Sequence, residues 1–329
     1  MSRAGQATVK RRLSLFLLTA LSLLGLRGVA YPLDEVKVHI SGSASANSLI
    51  FQIGEAKGFY KEDGLKVLAI TATSQAGIQG LLAGSFDFSQ ILGQSSAFIL
   101  RGAPLKIVMV FDTRPLFWLF GKKGVRTLQD LKGGKLVGVS SLGASTDQMT
   151  RELLARNGID PRRDVVIQGT GTGAVRLAAL LGGALDAAIV NPSERIIAKK
   201  NGLQELIFYG DQLETVAGGV SVREKVLTEK SEFVRRFLRG TLRAFLWLRS
   251  NESEAVNLMA KDFKIPGDEV LEIYKATLQV FTRDGTMPVD SQERIIAFQK
   301  KQLKVEKDVS PEQVYDFRIL RSLMGEMKK

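Results

Sequence analysis

Two loops of small and hydroxyl residues carry the clearest potential for chemistry in this chain. One reads Ser41-Gly42-Ser43-Ala44-Ser45-Ala46-Asn47, the other Ser140-Ser141-Leu142-Gly143-Ala144-Ser145-Thr146-Asp147. Each follows an apolar strand-like run and opens a helical pattern. Small residues let a ligand approach the backbone. The free amides at a helix start, with Ser and Thr hydroxyls beside them, suit a carboxylate, sulfonate or phosphate without needing a lysine. Ser43, Ala44, Ser45 and Asn47 are therefore candidate contacts in the first loop, and Ser141, Gly143, Ala144, Ser145 and Thr146 in the second. One of Asn47, Ser145 and Thr146 is also expected to serve as a helix N-cap. Further loops belong to the same rim. Thr73-Ser74-Gln75-Ala76-Gly77 pairs with Thr170-Gly171-Thr172-Gly173-Ala174, and Gly93-Gln94-Ser95-Ser96 with Asn191-Pro192-Ser193-Glu194. They add Gln75, Gln94, Ser95, Thr172, Gly173, Asn191 and Ser193 as candidates.

Other chemistry is thinly supplied. There is no Cys, which excludes a disulfide scaffold, a thiolate metal site and a cysteine nucleophile, and there is one His. His39 lies inside an apolar strand and reads as a core histidine. Asp87 and Asp186 could suggest paired acid–base carboxylates, but each follows a helix-ending Gly and reads as a turn residue that starts a strand. The run Gly169-Thr170-Gly171-Thr172-Gly173 lacks the two-residue gap of a dinucleotide fingerprint, and no P-loop lysine motif is present. Phe117-Trp118 near Arg114 offers either a stacking wall for a flat or anionic ligand or ordinary sheet packing. No catalytic residue, metal or cofactor is expected.

These loops need a scaffold, and the hydrophobic pattern supplies one. Strands are expected at 36–40, 65–70, 86–92, 106–111, 117–120, 136–139, 165–168 and 187–190. Helical spacing fills stretches such as 147–157 and 172–181. Such alternation implies an α/β chain with largely parallel, helix-covered sheets. Beyond residue 223 only helices are expected, at 231–250, 254–263, 268–281, 291–305 and 310–326, with Ser231, Ser291 and Ser310 as N-caps and Pro311 at a first helical position. Gly84 and Gly183 are expected to end helices in the left-handed conformation. The chain also repeats itself. Leu81-Leu82-Ala83-Gly84-Ser85-Phe86-Asp87 resembles Leu180-Leu181-Gly182-Gly183-Ala184-Leu185-Asp186, a shift of 99 residues. The same shift superposes Val38-His39-Ile40-Ser41 on Val137-Gly138-Val139-Ser140, Thr71 on Thr170 and Thr73 on Thr172. Two similar lobes follow from that register.

The chain has 329 residues, 46 Lys plus Arg against 34 Asp plus Glu, and a net charge of +12. That composition is globular, and the length suits two lobes. The first thirty residues read as a secretory signal: a basic start without an acid, the apolar run 13–26, then Gly28-Val29-Ala30 at the cleavage positions. Arg11-Arg12 invites a twin-arginine reading that the following Leu-Ser-Leu fits poorly. Cleavage after Ala30 would remove Arg3, Lys10, Arg11, Arg12 and Arg27 and lower the net charge to +7. No basic stripe with interleaved aromatics points to nucleic acid. The amphipathic run 233–248 (FVRRFLRGTLRAFLWL) fits a core helix with a solvated Arg face better than a membrane-surface helix.

Three segments resemble a known family. Glu55-Ala56-Lys57-Gly58-Phe59-Tyr60-Lys61-Glu62-Asp63-Gly64-Leu65 is similar to the E-x-K-G-[FY]-[FY]-x-x-x-G-L run of ABC-transporter solute-binding proteins of the aliphatic-sulfonate, nitrate and taurine type, the NMT1/THI5-like and SsuA-like group. Leu82-Ala83-Gly84-Ser85-Phe86-Asp87-Phe88 resembles its L-x-x-G-x-x-D-F run. The segment Leu128-Gln129-Asp130-Leu131-Lys132-Gly133-Gly134-Lys135-Leu136-Val137-Gly138-Val139 resembles its L-x-D-L-K-G-K-x-[IV]-G-V run, with one Gly where Lys is usual. The resemblance spans roughly 35–300 and implies a two-lobed periplasmic-binding-protein fold of type II with the ligand cleft between lobes. On that basis lobe I would comprise 31–112 plus 215–329, and lobe II 113–214. The protein would be a periplasmic monomer that captures a small organic ligand, an oxyanion such as a sulfonate or carboxylate or a pyrimidine-like compound. It would deliver that ligand to an ABC permease with a cytoplasmic ATPase. Backbone amides of the Ser43 and Gly143 loops would hold the polar head, and Gln75, Gln94, Thr172, Asn191 and Ser193 would orient it. The family's fungal pyrimidine synthases use a Cys-rich cluster and a His, which this Cys-free chain does not match. A lyase-type enzyme on the same fold and a sensor that feeds a membrane receptor remain as alternatives.

Overall fold

The structure, a computed structural model, describes residues 33–40 and 46–327; residues 1–32, 41–45 and 328–329 lie outside them. Two five-stranded sheets organise the chain. The first contains β1 (Asp34–Ile40), β2 (Leu65–Thr71), β3 (Phe88–Ile91), β4 (Leu105–Val110) and β10 (Gly218–Arg223), in the order β2-β1-β3-β10-β4. The second contains β5 (Trp118–Gly121), β6 (Lys135–Val139), β7 (Val165–Gly169), β8 (Ala187–Val190) and β9 (Gln204–Phe208), in the order β7-β6-β8-β5-β9. The helices α1 (Ala46–Ala56), α2 (Ser74–Ala83) and α3 (Leu92–Leu100) belong to the first unit, and α4 (Ser145–Arg156), α5 (Gly173–Leu181) and α6 (Pro192–Lys200) to the second.

The shift of 99 carries β1, β2, β3 and β4 onto β6, β7, β8 and β9, so the repeat extends to sheet order. It also extends to hydrogen bonds. Asp87 Oδ2 accepts the Lys37 amide at 2.9 Å, and Asp186 Oδ2 accepts the Leu136 amide at 2.8 Å. Each carboxylate thus pins the incoming strand of its own unit. Thr73 caps α2 by accepting from Ala76 N, and Thr172 caps α5 by accepting from Val175 N. The inserted strand of each sheet comes from outside its repeat. β5 runs antiparallel between β8 and β9, and β10 runs antiparallel between β3 and β4. The chain passes to the second sheet between β4 and β5 and returns between β9 and β10. Two lobes result, with a cleft between them.

The remaining helices are α7 (Glu224–Glu229), α8 (Ser231–Ser250), α9 (Glu252–Phe263), α10 (Gly267–Val280), α11 (Val289–Leu303), α12 (Pro311–Val314) and α13 (Arg318–Met327). α8 is the spine of the larger core. Phe237 stacks on Phe88 with ring centroids 4.0 Å apart and on Tyr60 at 5.7 Å, while Phe245 stacks on Phe111 at 5.6 Å. Each such buried ring contributes roughly 2–3 kcal/mol. The Arg face of α8 is consumed by ion pairs, Arg239 with Asp63 and Arg243 with Glu62 at 2.5 Å each and Arg235 with Glu326. On its other face Val234, Phe237, Leu238, Leu242, Phe245 and Leu248 are buried in the core, as expected of a core helix and not of a membrane-surface one. Among the described residues no helix is long and apolar enough to cross a membrane.

Several expectations need correction. β9 and β10 were not among the expected strands, because QELIF is half-polar and GGVSVR opens with two glycines. The expected helix 310–326 is broken: Tyr315 bridges to Ile107 of β4, which separates α12 from α13. Ser310 forms a full capping box with Gln313. Ser231 and Ser291 are not caps. Lys230 and Pro288 occupy those positions, and Ser291 lies within α11.

Candidate functional site

In open α/β sheets ligands collect beyond the carboxyl ends of the parallel strands. In the second lobe those ends lead into the 140–144, 170–172 and 191 segments, and in the first into the segment around 72–73 and the start of α3. The second lobe's main loop is tightly organised. Thr146 Oγ1 accepts the Ser140 amide at 3.1 Å and shares a 2.6 Å bond with Ser140 Oγ. The Gly143 amide donates to Asp147 Oδ2 at 2.7 Å, and Gly143 O accepts from Gln148 Nε2 at 3.0 Å. Ala144 is the N-cap of α4 and supplies no side-chain acceptor. Neither Ser145 nor Thr146 caps this helix, contrary to expectation, because Thr146 turns back to close the loop. The amides at the start of α4 consequently lack a capping side chain, whereas the Gly143 amide is already taken. Ser141, Gly143 and Ser145 are exposed, and Ala144 and Thr146 are half-buried.

The other rim candidates divide by how committed they are. Gln94 Nε2 donates to Gln75 Oε1 at 3.3 Å, so these two side chains meet on the first lobe's rim. Thr172 is exposed beside its cap bond, and Gly173 is the first residue of α5. Asn191 is fully engaged in capping α6. Its Oδ1 accepts from Glu194 N at 3.0 Å and Ser193 Oγ at 2.8 Å, and its Nδ2 donates to Glu194 Oε1 at 3.0 Å. Ser95 is fully buried, with its hydroxyl bonded to Ile91 O at 2.8 Å and Ser221 Oγ at 2.7 Å, so it faces the sheet and not the cleft. Ser43, Ala44 and Ser45 lie outside the described residues. His39 is buried, shares a 2.8 Å bond between its Nδ1 and Ser89 Oγ, and is pushed below its ordinary pKa by burial. That environment matches a core histidine.

Sequence reasoning missed three charged groups. Asp112 sits where the chain leaves the first sheet. Its Oδ1 accepts the Ala217 amide at 2.9 Å, and its Oδ2 accepts the Gly218 amide at 3.1 Å and Asn47 Nδ2 at 2.7 Å. It ties the outgoing crossover, the returning crossover and the first turn of α1 together. Burial pushes its carboxyl up to about 6 despite those three bonds. Asn47 Oδ1 is buried without a partner, so Asn47 is held as a hinge tie. The other two groups are Arg176 on α5 and Glu194 on α6, both buried at the strand ends of the second lobe. The signal for Arg176 was a lone Arg in the apolar run GAVRLAALL.

Trp118 is buried and stacks on Phe208 at 4.9 Å, and the guanidinium covering its ring belongs to Arg195, 4.5 Å away. Arg114 instead donates to the carbonyl of Gln279. The aromatic pair is thus sheet packing, closed off by Arg195, beside a groove of about 450 Å³ shared with α10. Among the described residues no group of three or more His, Cys, Asp or Glu could hold a metal ion.

Comparison with known proteins bears on this geometry. The profile of the NMT1/THI5-like family matches residues 45–255. The chain belongs to that family. Riboflavin-binding protein RibY of Chloroflexus aurantiacus is 24% identical over 234 residues, 69% of this chain, and the chain spans 66% of the length of RibY. The structure of a putative periplasmic sulfonate-binding protein, SsuA from Methylobacillus flagellatus, superposes with a TM-score of 0.73 at 16% identity. That match covers 90% of this chain and 96% of SsuA. The desulfurization enzyme DSZB superposes with a TM-score of 0.66 at 14% identity, over 89% of this chain and 99% of DSZB. This NMT1/THI5-like chain therefore has the two-lobed fold of periplasmic binding proteins, a fold that also carries an enzyme.

Proposed function

We propose that the protein is an extracytoplasmic solute-binding protein of an ABC importer. It captures a small organic molecule in the cleft and delivers it to a membrane permease driven by a cytoplasmic ATPase. In this reading residues 1–30 direct export to the periplasm and are removed. Lobe I comprises 31–112 plus 215–329, lobe II comprises 113–214, and the two close on the ligand as a monomer. The observation that carries the proposal is the second lobe's rim: an uncapped start of α4, a loop of exposed small and hydroxyl residues, and no charged side chain exposed on the 140–146 and 170–173 loops. Such a surface binds through backbone amides and hydroxyls. The ligand is an oxyanion-bearing compound, a sulfonate or carboxylate, or a pyrimidine-like molecule. RibY is named for riboflavin, which carries a pyrimidine-like ring, and the SsuA structure is of a putative sulfonate-binding protein.

Capture is favoured over catalysis by what the cleft offers. The chain has no thiol. Its one imidazole is buried and bonded to Ser89 Oγ. The test is a thermal-shift screen of sulfonates, carboxylates, nucleobase-like compounds and flavins, followed by product analysis of each hit. A saturable rise in melting temperature with the ligand recovered unchanged supports the proposal. Recovery of a converted product would move the protein to the enzyme reading.

A further inference from the structure

The second lobe carries a concentration of positive charge at the pole opposite its rim loops. Four segments meet there, at the amino ends of β6, β7 and β8. Lys135 opens β6 and pairs in register with Val165, the first residue of β7. Lys122 follows β5 beside the start of β8, and its amide donates to Asp186 O at 2.9 Å. The turn 122–127 and the single-turn helix Leu128–Leu131 lead into Lys132. The Gly134 amide then donates to Asp164 O at 3.0 Å, which seats the 160–164 turn alongside. Lys123, Arg126, Lys132, Lys135, Arg162 and Arg163 are all exposed on these segments.

The acids of the same segments are spent on backbone amides. Asp186 is buried and its Oδ2 holds the Leu136 amide. Asp130 Oδ2 accepts the Arg126 and Thr127 amides at 2.9 Å each. Asp160 Oδ1 accepts the Arg162 amide at 2.9 Å, and Asp164 Oδ2 accepts the Asp160 amide at 2.8 Å. Lys122 and Lys135 share Asp186 at 2.8 and 3.9 Å, and Arg163 pairs with Asp160 at 2.8 Å. Lys123, Arg126, Lys132 and Arg162 take part in no ion pair within 4.0 Å among the described residues. The first lobe does not repeat this. The shift of 99 sets Lys132, Lys135 and Arg162 against Leu33, Val36 and Asp63. Its charges are paired instead, Asp63 with Arg239, Glu62 with Arg243 and Lys66 with Glu35. We propose that the amino-end pole of the second lobe is a docking surface for an anionic lipid bilayer, engaged reversibly and by charge. Residues 121–136 and 160–166 contain no aromatic residue and no Met. The centre of a protein interface is rich in aromatics and poor in Lys, and single-stranded nucleic acid is held on stacking rings. A bilayer needs neither, because it attracts each Lys or Arg that comes within a Debye length of its headgroups. Docking at this pole leaves the rim loops free, since they lie at the opposite ends of the same strands.

The test is sedimentation with lipid vesicles. Protein purified from a host that exports it is mixed with vesicles of phosphatidylcholine plus phosphatidylglycerol, and with phosphatidylcholine alone. Wild type is expected to bind only the mixed vesicles at low salt and to be released at high salt. Each cation removed should weaken binding roughly fivefold, so Lys123→Gln, Lys132→Gln and Arg162→Gln combined should weaken it about 100-fold. Lys225→Gln, Lys230→Gln and Lys307→Gln combined remove the same charge from exposed lysines outside the pole, and this variant is expected to bind like wild type. All six positions are exposed, and circular dichroism melts check that both variants fold. Wild type that ignores the mixed vesicles, binding that survives the pole substitutions, or equal losses in the two variants overturns the proposal. Duplex DNA is run alongside, and pole-dependent retention on DNA without vesicle binding would assign the surface to another polyanion and overturn it too. Solute binding is read separately, so failure of solute capture and failure of lipid docking are distinguishable.

Discussion

Replacing Asp112 with Asn should change how stability depends on pH. Asp112 is buried at the junction of both crossovers, and its carboxyl is pushed from an ordinary 3.8 up to about 6. Because the folded-state pKa lies above the unfolded one, the folded chain holds this proton more tightly. The stability gained is complete below the unfolded value and is lost as pH rises through about 6. A shift of about two units corresponds to about 3 kcal/mol, of which about 2 kcal/mol develops between about pH 4.5 and about pH 7.5. In Asp112→Asn the amide oxygen still accepts from Ala217 N. Its new donor meets the unpartnered Asn47 Oδ1 once that amide turns, while the Gly218 amide loses its acceptor at a pH-independent cost of about 1–3 kcal/mol that the comparison between pH values cancels. The assay is urea unfolding of both proteins at the two pH values. The variant should gain about 2 kcal/mol relative to wild type on going to the higher pH. Taking the difference cancels His39, whose lowered pKa acts with opposite sign by removing stability as pH falls below 6.5. Parallel stabilities at both pH values would show that Asp112 does not carry a hinge proton.

Other consequences are more local. Gly143→Leu should abolish solute binding, because it puts a bulky side chain into the exposed loop of the second lobe. It should cost only about 1–2 kcal/mol of stability, since residue 143 has φ +79° but a Cβ there meets nothing within 4 Å. Titration calorimetry alongside a melt separates the two effects, and unchanged binding would remove the loop from the site. Thr73→Ala and Thr172→Ala remove equivalent caps of α2 and α5. Each should cost about 0.5–2 kcal/mol in urea unfolding, and only Thr172→Ala is expected to weaken ligand affinity as well.

Much of the scaffold was legible because it rests on local patterns. Continuous apolar runs such as LKIVMV and AAIV marked strands buried on both faces, and the 99-residue shift exposed the duplicated lobe before any contact was visible. The inserted strand β10 was hidden, because GGVSVR draws its strand character from β3 and β4 on either side. The rim loops were legible as small and polar, but their internal bonding was not. That Asp147 takes the Gly143 amide, that Ser95 turns into the sheet and that Asn47 is bound by Asp112 all depend on neighbours distant in sequence or on loop geometry. Arg176 was overlooked for the same reason. Composition shows one Arg in an apolar helix, and only the fold shows that it is buried with its guanidinium on the carbonyls of Gly171 and Ile189.

The most direct test of solute capture is native mass spectrometry of the protein purified from a host that exports it, with the bound fraction released by denaturation and identified. The account predicts one small organic molecule per chain that rebinds the emptied protein and is recovered unchanged. An empty protein that no sulfonate, carboxylate, flavin or nucleobase-like compound stabilises would contradict it.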